Sequence, residues 1–181
     1  MGLLRAVAVS ILLLAQENVS AGQTGPTPEY QLKAVFLFNF AQFIEWPASA
    51  FPEPDMPLNI CVLGKDPFGA YLDETVRGES VSGHPLAVRR YREPEGIAGC
   101  HILFVSRDQG NVRQVLDSLK GRSVLTVSDE DRFATNGGMI RFVTERNRIR
   151  LRINLEAARA ANLTISSKLL RPAQIVASGK D

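Results

Sequence analysis

The chain has few of the residues that usually carry chemistry. It holds two cysteines, Cys61 and Cys100, and no Cys-x-x-Cys spacing, which excludes a thiol relay of the thioredoxin kind. It holds two histidines. His101 is next to Cys100, so on a strand the two side chains point to opposite faces, and His84 lies in a Gly-His-Pro turn. No metal set and no cofactor is expected from them. Gly64-Lys65 fails as a phosphate loop, because the glycine required five residues before Gly64 is Asn59. Neither G-x-G-x-x-G after a strand nor a G-x-S-x-G elbow occurs. Asp129-Glu130-Asp131 has no spaced acidic partners and reads as a solvated helix start, not a catalytic pair. The net charge is only +2, with basic residues scattered apart from one denser run, RFVTERNRIRLR at 141–152, so nucleic-acid binding is not expected. No apolar run reaches 18 residues, so no direct membrane insertion is expected.

What is present is a core and an export signal. Of the 181 residues, 45% are apolar and 22% charged, close to the globular average and right for one domain. Arg5 supplies a positive start, Ala6–Ala15 is apolar but for Ser10, and Val19-Ser20-Ala21 ends on small residues. This reads as a signal peptide over 1–21, cut after Ala21, and implies a periplasmic mature chain. No cysteine lies at the cut, so no lipid anchor is expected. Residues 22–28 read as a linker and 29–178 as one domain. Export makes Cys61 and Cys100 a disulfide candidate, with two buried free thiols as the alternative.

Glu29–Trp46 lacks Gly and Pro and reads as a helix ended by Pro47, apolar around most of its circumference. A helix of that kind is buried on more than one face or meets a partner, so Phe36, Phe40, Phe43 and Trp46 are the candidate partner-binding residues. Short apolar runs at 58–63, 86–91, 100–106 and 123–127 read as strands, and 68–77 and 111–120 as the helices between them. Gly137-Gly138 leads into a hairpin, 139–144 with 148–153, and at least one of the two glycines should hold a positive φ. Helices are expected over 155–161 and 168–177, capped by Asn154 and by Ser166 or Ser167. The fold class is α/β: a single mostly parallel sheet flanked by helices, with a C-terminal β-hairpin edge.

Three stretches together resemble the YfiR-like family of periplasmic regulators. They are Lys33–Phe40 followed by Glu45-Trp46-Pro47; Cys100–Val105; and Leu125–Asp129, Phe133-Ala134, Gly137–Ile140, Asn154-Leu155 and Ser166–Leu170. The resemblance covers nearly the whole mature chain. It implies an exported, non-enzymatic α/β protein that represses a membrane-bound signalling enzyme, such as a diguanylate cyclase, through that enzyme's periplasmic sensor domain. It also associates Cys61 and Cys100 with a redox-sensitive disulfide; a second pair found in some members has no counterpart here. A homodimer is the expected state. The other class of function is a small-ligand receptor feeding a sensor kinase, which calls for a pocket at the strand C-termini lined by Ser128, Asn136 or Asn154.

Overall fold

The computed structural model describes residues 25–179. The signal-peptide reading of 1–21 and the start of the 22–28 linker lie outside them. The elements are α1 (Pro28–Phe43), β1 (Ile44–Glu45), β2 (Leu58–Leu63), α2 (Ala70–Val76), β3 (Ser80–Val81), β4 (His84–Tyr91), β5 (Ile102–Val105), α3 (Val112–Ser118), β6 (Leu125–Ser128), β7 (Ile140–Glu145), β8 (Arg148–Asn154), α4 (Leu155–Ala160), β9 (Thr164–Ile165), α5 (Ser167–Leu170) and β10 (Gln174–Val176).

The main sheet runs β10-β8-β7-β6-β5-β2-β4-β3. β4, β2, β5, β6 and β7 are parallel to one another, as helical crossovers between strands require. β2, β5 and β6 are buried at every position, because helices cover both of their faces. On one face α1, α2 and the loop ahead of α2 bring Leu37, Phe40, Phe68 and Leu72 against Ile60, Val62, Phe104, Val127 and Phe142. On the other, α3 and the turn at Ile97–Gly99 bring Val115, Leu119 and Ile97 against Cys61, Leu63, Leu103 and Val105.

Two helices end earlier than the sequence reading has them. The first helix stops at Phe43 and not at Trp46, because Ile44 and Glu45 pair antiparallel with Ile165 and Thr164. The last helix, expected over 168–177, ends at Leu170 just ahead of Pro172, and 174–176 become a strand parallel to β8. The β7–β8 hairpin therefore lies near the sheet edge, with the short β10 outside it.

At the turn into β7 the two glycines serve different ends. Gly137 holds φ +103°, which favours glycine, while a Cβ on Gly138 would lie 2.2 Å from the ring of Phe133. That ring is itself buried, and Gly138 N–H donates to the Phe133 carbonyl at 2.9 Å. Gly138→Ala should therefore lower stability by about 3 kcal/mol, the upper range for overpacking. Gly137→Ala, which meets open space, should cost about 1 kcal/mol. Urea unfolding of both variants checks this; equal losses would show that the Phe133 contact is immaterial.

Candidate functional site

The most buried polar cluster pins α1 to the C-terminal end of β6. Lys33 is 1% exposed on a helix otherwise apolar on its inner side, and its Nζ lies 2.6 Å from Asp129 Oδ2 and 2.6 Å from Glu29 Oε1. Tyr30 donates its hydroxyl to Asp129 Oδ2 at 2.8 Å, and Arg107, at the end of β5, donates Nε–H to Asp129 Oδ1 at 3.0 Å. The Lys33 ammonium also lies 4.4 Å from the Tyr30 ring centre. Burial alone would push the Asp129 carboxyl up, but hydrogen bonds from Lys33 and Tyr30 and the two cations hold it below the usual carboxylate range. Tyr30 is pushed up, by burial first and then by Asp129. Asp129 is thus an internal anchor and not part of a solvated acidic start; only its neighbour Asp131 is exposed, where it pairs with Arg141.

This anchor fixes which side of α1 faces outward. Phe40 is fully buried, stacked on Phe142 at 5.8 Å. Phe36, Phe43 and Trp46 are half-buried, and Leu32, 46% exposed, continues their row at the helix start. Phe36 touches both Phe40 and Phe142, so three of the four aromatic residues read from the sequence remain partly open while one belongs to the core. The Trp46 indole N–H is buried with no acceptor among the described residues.

Cys61 and Cys100 are joined in a disulfide, with Cα atoms 5.9 Å apart. Cys61 lies within β2; Cys100 lies just ahead of β5, at the end of the Ile97–Gly99 turn, where its side chain is free to converge on its partner. The next residue, His101, is buried. Its Nδ1 accepts the Asn59 N–H at 3.1 Å, so its Nε2–H donates to the Ala50 carbonyl at 3.0 Å. Phe51 stacks between His101 and His84, with centroids 4.4 and 3.9 Å away, and His84 Nδ1 bonds the Met56 carbonyl at 2.8 Å. The two imidazoles therefore clamp the 48–56 loop over the strand N-termini.

Burial, followed by the neighbouring His84, holds the His101 imidazole below its usual value, while its bond to Ala50 opposes them. The folded state then binds fewer protons than the unfolded chain. The contribution to stability is complete above the unfolded value of about 6.5 and is lost as pH falls below it. His101→Phe should remove this part of the acid sensitivity, leaving a smaller fall in stability between neutral and mildly acidic pH. Urea midpoints for both proteins at neutral and mildly acidic pH check this; an identical acid response in the two would assign it elsewhere.

Two of the three residues read as ligand contacts have internal partners. Ser128 is fully buried, donating to the Val105 carbonyl at 2.7 Å and accepting the Glu130 N–H at 3.0 Å. Asn154 is fully buried, caps α4 through Ala157 N–H at 3.0 Å and donates to the Ala134 carbonyl and the Ser178 hydroxyl, each at 2.9 Å. Asn136 is exposed and lines a pocket of about 330 Å³ between α3 and α4, with Arg113, Thr126 and Met139. The structure does not bring the three together around one cavity. Sequence reasoning missed Lys33, Arg107 and Asp129; the available signal was a lysine set in an apolar helix, four residues after Glu29.

Among the described residues no helix is long and apolar enough to cross a membrane, and no group of three or more His, Cys, Asp or Glu is placed to hold a metal ion. A family model described as DUF4154: YfiR/HmsC-like matches residues 30–174, which contain the anchor, the disulfide and the aromatic row. No curated protein matches the chain.

Proposed function

The chain belongs to the YfiR/HmsC-like family, and from that we propose that it represses a membrane signalling enzyme, such as a diguanylate cyclase, by binding that enzyme's periplasmic sensor domain. The family is known in general for periplasmic regulators and not for catalysts. The chain would reach the periplasm after cleavage behind Ala21, act as a homodimer, and work by holding the sensor in one of two states. A ligand shifts such an equilibrium only through its differential affinity for the two, so a contact surface suffices and no reacting group is needed.

The observation that carries this reading is the open aromatic row on α1. Leu32, Phe36 and Phe43 are partly open on α1, which the buried Lys33–Asp129 pair holds in place, and the half-buried Trp46 lies just beyond the helix end. Large apolar residues partly open on a rigid helix suit the core of a protein interface. Leu32→Glu and Phe43→Glu should each relieve repression, raising the cyclic dinucleotide level in cells toward that of a deletion strain. Purified variants should keep their melting temperatures within a few degrees. Full repression by both variants would refute this surface as the docking face, and unchanged dinucleotide levels in the deletion strain would refute the role.

A further inference from the structure

The arginine run at 141–152 is not used by the regulatory reading. It holds five arginines and one glutamate in a chain of net charge only +2. The hairpin register sorts it into two faces. Ile140 opposite Ile153 and Phe142 opposite Leu151 point to the core beneath α1, whereas Arg141 opposite Arg152, Val143 opposite Arg150 and Glu145 opposite Arg148 share the other face. Arg148 and Arg150 are exposed and Arg152 is half-exposed, so this face is open where its neighbours β5 and β6 are covered. Arg141 pairs with Asp131; Arg148, Arg150 and Arg152 form no ion pair among the described residues. β10 extends the face with Gln174, next to Arg152.

We infer that this face binds an anionic phospholipid surface through Arg148, Arg150 and Arg152. The chemistry favours lipid phosphates over an acidic protein. Stable protein interfaces have a desolvated apolar centre built on aromatic anchors, whereas on the hairpin's arginine face the one apolar side chain is the half-buried Val143, with no aromatic residue beside it. A headgroup layer needs no such centre. It offers many phosphates, each of which a guanidinium can hold through two parallel N–H donors, and it tolerates the fixed spacing of a strand. Every basic residue of the run is arginine and none is lysine. The aromatic row on α1 lies on the opposite side of the sheet, so a membrane-seated molecule would keep that row free.

The inference is independent of the regulatory role and is tested without a protein partner. Chain 22–181 is sedimented with vesicles of equal phosphatidylglycerol and phosphatidylcholine, and with vesicles of phosphatidylcholine alone. Binding is expected on the anionic vesicles only, and it should weaken as salt is raised. R148Q/R150Q/R152Q should weaken it on the order of a hundredfold, from about fivefold per arginine. K65Q/R77Q/R92Q, which removes the same charge from exposed positions around β2, α2 and β4, toward the other end of the sheet, should change it little. These outward positions should leave the melting temperature unchanged, which separates loss of binding from loss of fold. Three results would each overturn the inference: no binding to anionic vesicles, equal binding to both compositions, or equal losses in the two triple variants. Normal vesicle binding by the wild type together with full retention in R148Q/R150Q/R152Q would assign the membrane contact to another face and overturn it as well. None of these results bears on repression, which the α1 variants test separately.

Discussion

Asp129→Ala is expected to destabilise the domain by about 3–5 kcal/mol, the cost of removing one partner from a buried ion pair. The reason is the place of Lys33. Its ammonium is sealed between α1 and β6, and without Asp129 its only carboxylate is Glu29, which is 40% exposed. Tyr30 loses its acceptor in the same step, and a buried donor without a partner adds its own penalty. Removing both charges should be milder than removing one, so Lys33→Met combined with Asp129→Ala should regain part of the loss, because Arg107 and Glu29 both reach water. The depressed Asp129 carboxyl adds a pH signature. Its contribution is present above the unfolded carboxylate value of about 3.9 and disappears as pH falls through the lower folded value. Urea unfolding of the single and double variants checks both points. A single variant within about 1 kcal/mol of wild type would remove the anchor from the account of this fold.

Opening the disulfide is expected to cost about as much. Cys61 and Cys100 close a segment of 39 residues, for which the loop-entropy relation gives about 4 kcal/mol. The segment contains α2, β3 and β4, so the crosslink ties the β4 side of the sheet to the start of β5. Both sulfurs are buried, and alanine leaves no orphaned hydroxyl where serine would. Cys61→Ala with Cys100→Ala should lower the urea midpoint by the corresponding amount, and dithiothreitol should bring the wild type toward the same value. Binding to a sensor domain should remain measurable in the folded double variant, since the crosslink lies away from α1's outer row. A loss well under 1 kcal/mol would mean that packing alone holds this part of the chain.

The strands and crossovers were legible because burial writes directly into sequence. LNICVL is apolar at every position but Asn59 because β2 is covered on both faces, and RIRLRI alternates because β8 is covered on one. Distant pairing was not legible. Nothing local in Ile44–Glu45 announces Thr164–Ile165, so the pattern runs the first helix on to Trp46 where the fold ends it at Phe43. The last helix stops at Leu170, and Pro172 is the local signal against continuing it to 177. Polar residues misled for a different reason. Asp129, Ser128 and Asn154 are types that serve as ligand contacts or solvated caps, and the fold uses all three as internal partners; sequence shows the donor or acceptor but not what already occupies it. Asn136 is of the same type and faces open space, a difference that only the packing reveals.

The partners of α1 lie far along the chain, and that sets an order on assembly. Tyr30 and Lys33 meet Asp129, Glu29 meets Thr144, and the Phe43 carbonyl accepts from Ser166. A chain emerging N-terminus first delivers its most aromatic helix at the outset and the residues that secure it at the very end. Until then α1 has only the early β2–α2 surface to rest on, and the Lys33 ammonium has only the part-exposed Glu29 of its own helix as counterion. Loop closure over such separations is slow relative to helix formation. The helix is therefore a waiting segment, open to holdase chaperones and to like chains, and the natural point at which crowded or interrupted synthesis of this protein would go astray.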